Sequence, residues 1–332
     1  MKRRLMCIAF ALIMIMLAGC SQTSSKTVKV EMSEKTKQFV ESLGFDDVKI
    51  LEKEGWEKYT LPGIAARSSG YVDIVTVDNS GNPIEFKSDF NNKYRNMDFV
   101  ASFTPKGGKF NKVMLFVHGG AYISGAGSSH ARFCDNLADM NNALVVVPSY
   151  GLTPQCTYKE AYEMLDKVYG EISKYNLPII IFGDSAGGGL ATGYTLLLKE
   201  KGTKMPDKVV LISPWLDITM SNADIEKYQK NDRMLAPFGL AEAGKLWAKG
   251  LNTKDYRVSP IYGDFSDFPE TLLFCSTWEI FYPDEVKFAK ILKDKNVPHT
   301  VVELEGFIHD APLFSNLDEY PEFLDIIKDF AG

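Results

Sequence analysis

The chain has 332 residues, 45% hydrophobic and 24% charged, with 43 acidic against 37 basic side chains and a net charge of −6. That balance excludes the basic footprint of a nucleic-acid-binding protein, and no basic motif supplies one. The length suffices for one large domain with a well-buried core, and no internal repeat points to a solenoid.

Met1-Lys2-Arg3-Arg4 is a basic start, followed by an apolar run over residues 5–18 without a charge. Such a run is shorter than the roughly 20 residues of a membrane span and suits a signal-peptide core. It ends in Leu17-Ala18-Gly19-Cys20, which resembles the lipobox of bacterial lipoproteins. In a lipobox the cysteine becomes the lipidated first residue after cleavage. The resemblance implies a signal peptide over 1–19 and acylation of Cys20, palmitate included. The chain would then be lipid-anchored to the cell membrane, facing outward. The other reading is an ordinary secretory signal with a chance cysteine. Cleavage would remove Lys2, Arg3 and Arg4 and take the charge from −6 to −9, so attachment would come from lipid, not from a basic patch.

A polar tether is expected over residues 21–26, then a short amphipathic helix over 33–43, closed by Gly44. Residues 71–77 alternate like a strand, Asn79-Ser80-Gly81-Asn82 is a turn, and 99–104 reads as another strand. These early strands are expected to pair antiparallel at one sheet edge. From there the pattern is regular. Strands at 113–117, 143–147, 179–182, 209–212, 271–276 and 300–304 alternate with helices at 129–140, 157–175, 186–199, 283–295 and 320–330. Continuous apolar strands separated by helices predict an α/β fold with a mostly parallel sheet covered on both faces. Ligands in such sheets bind outside the carboxyl ends of the strands.

Five cysteines are present. Cys7 leaves with the signal and Cys20 is the acylation candidate, which leaves Cys134, Cys156 and Cys275. Cys275 falls inside an apolar strand and reads as a small core residue. A disulfide between Cys134 and Cys156 stays open at this point.

The strand Ile179-Ile180-Ile181-Phe182 runs into Gly183-Asp184-Ser185-Ala186-Gly187-Gly188 and then a helix. Gly-x-Ser-x-Gly at a strand-to-helix turn is the pattern of a nucleophile elbow, which exposes the serine hydroxyl above the sheet. Alone the motif is weak, so partners are needed. After the strand at 113–117 comes His118-Gly119-Gly120-Ala121-Tyr122, whose glycines let backbone amides approach a ligand. The amides of Gly119, Gly120 and Ala186 are the candidate oxyanion donors.

The base for Ser185 must come from four histidines. His118 belongs to the glycine loop and His130 to a helix start, while His299 precedes the last strand and falls at the wrong edge. His309 follows that strand, at the carboxyl edge, and is the candidate base. The acid should leave the preceding strand. Glu279 stands nearest its end, whereas Asp284 and Glu285 suit a helix's first turn and Asp217 a structural hydrogen-bonding role.

These motifs, in the order Ser185, Glu279, His309, resemble the hormone-sensitive-lipase-like branch of α/β-hydrolases. Two further elements carry the resemblance, Ser149-Tyr150-Gly151-Leu152-Thr153-Pro154 and Ser213-Pro214-Trp215-Leu216-Asp217. It covers the chain from about Phe99 onward. Ala121 stands where many members have a third glycine, Gly151 replaces a usual arginine, and Glu279 replaces a commoner aspartate.

The resemblance implies a serine ester hydrolase for short-acyl esters, small-molecule or polysaccharide, with no cofactor and no metal. An amidase or peptidase on the same triad, and a non-catalytic surface-binding protein, are the alternatives. The domain plan is a signal peptide over 1–19, an N-terminal segment over 20–70, and a hydrolase domain over 71–332. An insertion at about 219–269, with an amphipathic helix over 236–249, is expected to cap the site.

Overall fold

A computed structural model describes residues 24–65 and 100–332. Eight strands form one sheet in the order β1-β8-β7-β6-β5-β3-β4-β2. They are β1 (Ser25–Glu31), β2 (Val100–Phe103), β3 (Lys112–Val117), β4 (Ala143–Pro148), β5 (Ile179–Asp184), β6 (Lys208–Ile212), β7 (Glu270–Ser276) and β8 (His299–Glu305). Every pairing is parallel except that of β2 with β4.

Side chains of the central strands alternate between two cores, as the pleat requires. Val113, Leu115 and Val117 face one layer, while Met114 and Phe116 face the other. Likewise Ile179 and Ile181 oppose Ile180 and Phe182. Burial on both faces is why these strands read as unbroken apolar runs. The first layer is closed by helices Tyr158–Ile172, Ser185–Glu200 and Tyr282–Asp294, the second by Ser128–Asn141 and Tyr320–Ala331.

The predicted early strand at 99–104 is β2, antiparallel to β4 at the sheet edge. Its companion at 71–77 lies outside the described residues, as do Cys7 and Cys20. The N-terminal side differs from expectation. Ser25 and Lys26, read as tether, begin β1, which pairs in parallel along β8 from Ser25 beside His299 to Glu31 beside Glu305. Of β1 only Val30 is buried, so its sequence carries almost no apolar signal. Lys26 and Lys29 sit on it as the charged residues that keep an edge strand from recruiting another chain.

Helix α1 (Glu34–Ser42) follows, its first turn capped by Ser33 Oγ, which accepts from Thr36 N at 3.1 Å. Thr36 Oγ1 in turn donates to Glu319 Oε2 at 2.6 Å, tying the N-terminal segment to the entry of the last helix. A further helical stretch over 46–65 opens with α2 (Asp46–Leu51). It lies across the helix Pro237–Ala248, where a Cβ on Gly239 would stand 2.6 Å from Leu51 O. No disulfide forms among Cys134, Cys156 and Cys275, all of them buried.

Candidate active site

The turn after β5 forces Ser185 to φ +49°, a left-handed conformation that ordinary side chains avoid. Two residues to either side of it, at Gly183 and Gly187, there is no room for a Cβ. At Gly187 a Cβ would lie 2.0 Å from Val117 O, and at Gly183 one would lie 2.4 Å from Gly187 O. The elbow is therefore wedged between β3 and its own helix. Ser185 projects at the carboxyl edge of the sheet.

His309 stands on the loop leaving β8, and its Nε2 lies 2.9 Å from Ser185 Oγ. Its Nδ1 donates to Glu279 Oε2 in a short contact, while Glu279 Oε1 accepts from Ser276 N at 3.0 Å. Glu279 is fully buried and His309 nearly so. The Nδ1 bond fixes the tautomer, leaving Nε2 of the neutral ring to accept the serine proton. Burial alone would depress the His309 pKa, but the neighbouring charges of Asp310 and Glu279 hold it well above its usual value. Burial, and after it the charge of Glu279, push the Glu285 carboxyl well above its usual value.

The other candidate acids are engaged elsewhere. Asp217 accepts from Thr219 N at 2.9 Å and from the Tyr262 hydroxyl at 2.6 Å, and Asp284 accepts from Asn222 Nδ2 at 2.8 Å. His299 starts β8 at the opposite edge, its Nδ1 bonded to Val297 O. His118 is wholly buried, stacked on Tyr150 at 4.3 Å between centroids, and burial lowers its pKa to about 4.

One expected oxyanion donor is corrected. Gly119 N donates to Asp184 Oδ1 at 2.9 Å, so its hydrogen is already spent. The amides of Gly120 and Ala121, by contrast, carry no backbone partner among the described residues, and both residues line the cavity beside Ser185. Ala186 stands in the first turn of the helix Ser185–Glu200, where amides have no intrahelical acceptor. Asp184 holds this loop from the other side too, since His130 Nε2 lies 3.1 Å from its Oδ2. Sequence reasoning missed this role, although Asp184 sits inside the elbow motif.

Two further acids escaped the sequence. Asp232 is buried and accepts from Ile280 N at 2.9 Å and from Leu235 N at 2.8 Å, bracing the loop that carries Glu279. Asp310, next to His309, lies with Oδ2 3.1 Å from His309 Nε2. No periodicity or spacing marks either one.

A cavity of about 630 Å³ opens over Ser185 among the described residues. Its apolar walls include Ile50 and Ile64 from the N-terminal segment, Leu235 ahead of the helix Pro237–Ala248, and Leu313 and Phe314 beyond His309. That helix itself is packed inward, with Trp247 stacked on Tyr122 at 4.1 Å. The insertion thus reaches the cavity through Met234 and Leu235, and the 46–65 stretch supplies a further part of the wall through Ile50, Leu51 and Ile64. No group of three or more potential metal ligands occurs among the described residues.

A nucleophile elbow at the carboxyl edge of a mostly parallel sheet, facing a histidine and a buried acid, defines an α/β-hydrolase. Comparison with known proteins agrees: residues 114–313 match the family described as alpha/beta hydrolase fold, and the chain belongs to it. An esterase of Acinetobacter venetianus is 28% identical over 224 residues, 66% of this chain and 73% of that protein. An acetyl-hydrolase of Streptomyces hygroscopicus is 26% identical over 60% of this chain and 67% of its own length. Among solved structures, the hormone-sensitive-lipase homologue EstE7 from a metagenome library superposes with a TM-score of 0.65 at 27% identity, covering 70% of this chain and 81% of that one. The predicted fold and the resemblance to the hormone-sensitive-lipase-like branch are both met.

Proposed function

We propose that this protein is a carboxylic ester hydrolase that acts on short-acyl esters through Ser185, His309 and Glu279. The observation that carries the reading is the chain of contacts through one ring, from Ser185 Oγ to His309 Nε2 and from Nδ1 to Glu279. Ser185 Oγ attacks the ester carbonyl as its proton passes to Nε2, and Glu279 stabilises the imidazolium. The amides of Gly120, Ala121 and Ala186 face the oxygen on which negative charge gathers. The imidazolium then protonates the departing alcohol, and the same ring activates the water that releases the acid.

The relatives named as an esterase and an acetyl-hydrolase support ester substrates. The cavity volume supports small ones, since it falls within the range that encloses a single small ligand. The second part of the proposal is attachment to the outer face of the membrane through a lipid on Cys20, which rests on Leu17-Ala18-Gly19-Cys20. Among the described residues no helix is long and apolar enough to cross a membrane.

The test is turnover of p-nitrophenyl esters of graded acyl length by wild type and Ser185→Ala. We expect fastest hydrolysis of the shortest acyl groups and a loss of at least about a thousandfold in the variant. Near-full turnover by Ser185→Ala would contradict the mechanism, and amides cleaved faster than matched esters would contradict the substrate class.

A further inference from the structure

His309 is gripped at both nitrogens. Nδ1 belongs to Glu279, while Nε2 is hydrogen-bonded to Ser185 Oγ at 2.9 Å and stands in ion-pair contact with Asp310 Oδ2 at 3.1 Å. Asp310 is held in that pose by its backbone. Its φ is +56°, and its amide donates to Ser213 Oγ at 3.2 Å. The residue is buried, and its Oδ1 has no hydrogen-bond partner. A carboxylate left half-paired away from water is costly, so the contact to Nε2 needs a reason.

Neither ionisation of the ring makes that contact neutral for catalysis. When Nδ1–H is committed to Glu279, a neutral ring presents a lone pair at Nε2. An ionised carboxylate oxygen 3.1 Å from that lone pair is repelled unless a proton lies between them. With the proton present, on Nε2 or on Asp310, the lone pair that Ser185 requires is engaged. We propose that Asp310 is a positioning residue that acts through His309, holding the Nε2 proton in competition with Ser185 and so setting the pH at which the nucleophile is released. The inference rests on the assignment of His309 as base.

The proton balance is simple. Below the threshold the pair carries one proton between Nε2 and Oδ2. That proton leaves to solvent as pH rises, and Nε2 is then free to take the hydrogen of Ser185 Oγ. Above the threshold the Asp310 charge beside the ring makes His309 a stronger base and stabilises the imidazolium formed during attack.

The electrostatic surroundings fit this assignment. Burial pushes Asp310 itself up, to about 7, and with His309 in contact the two groups titrate as a pair. The other charged or titratable groups around the ring are Glu279 from the loop after β7, Glu285 from the helix Tyr282–Asp294, and Asp232 from the 232–236 loop. Asp184 and His130 face Asp310 from the elbow side. Burial would lower the His130 pKa, but its partner Asp184, 3.1 Å away, and then the charge of Asp310 raise it.

The experiment compares wild type with Asp310→Asn and Asp310→Gly. Both replacements tolerate positive φ, and the asparagine keeps the shape of the side chain. The acid limb of kcat/KM is followed from pH 5 to 10, and the His309 ring is titrated by nitrogen NMR in the same proteins. We expect a wild-type midpoint above the ordinary imidazole value and a fall of at least about one pH unit in both variants, a tenfold change in the deprotonated fraction on the acid limb. The NMR titration should move by the same amount. That reading does not require an ester substrate, so it stands apart from turnover by Ser185→Ala, which tests the hydrolase assignment. Midpoints unchanged in both variants, with or without a fall in rate, would show a merely structural Asp310 and overturn the proposal.

Discussion

Glu279 reaches His309 because the loop after β7 turns back on itself, with Glu279 Oε1 accepting from the Ser276 amide at its base. The second oxygen is then aimed at Nδ1. Replacing it by glutamine keeps the size but removes the charge that stabilises the imidazolium and permits the wrong tautomer. Turnover of Glu279→Gln should fall by about three to four powers of ten, by analogy with serine proteases. Asp284→Asn should leave turnover within a few-fold of wild type, since Asp284 serves Asn222. Asp217→Asn belongs with stability, because it weakens acceptance from the Tyr262 hydroxyl and Thr219 N, and we expect a loss of about 1–2 kcal/mol in urea unfolding with turnover largely kept. A large catalytic loss in either aspartate variant, with Glu279→Gln active, would reverse the assignment.

At the scale of elements, the elbow is the place where packing and chemistry are least separable. A methyl group on Gly187 would sit against Val117 O and the His118 carbonyl, both backbone atoms that cannot step aside. Gly187→Ala should therefore cost about 3 kcal/mol or more, read as a drop in the urea midpoint, with activity lost as the elbow shifts. A variant as stable as wild type would mean that β3 and the helix Ser185–Glu200 are not in contact as described. The elements around this turn were legible in the sequence because each is buried on both faces or starts at a recognisable motif. β1 was not, for it buries only Val30 fully and Val28 in part, and it is held by its pairing with β8. The misplaced oxyanion donor has a similar cause. Which of Gly119, Gly120 and Ala121 keeps a spare amide depends on Asp184, a tertiary contact that no local pattern announces. Asp310 was hidden for the same reason, as its meaning comes from the αL turn that folds it back over Nε2.

Across the whole molecule, the strand direction separates the amino end of the sheet from the site. β1 starts beside His299, and Ser185 and His309 lie beyond the carboxyl ends of β5 and β8. Residues 21–24 are all that stand between Cys20 and β1. Cys20→Ala should abolish incorporation of labelled palmitate and move the protein out of the membrane fraction, while hydrolysis per molecule stays near wild type. An unmodified cysteine at the N-terminus of the mature wild-type protein would count against the anchor. The hydrolase assignment does not depend on that outcome.

The central claim, that Ser185 is the nucleophile, is tested most directly by a fluorophosphonate, which phosphonylates a serine only when a neighbouring base takes its proton. Intact mass and peptide mapping after treatment should show one adduct, on the peptide that contains Ser185, appearing as ester hydrolysis is lost. The adduct should be missing in both Ser185→Ala and His309→Ala. Full hydrolysis with no adduct at Ser185, or inactivation with the adduct on another residue, would contradict the account.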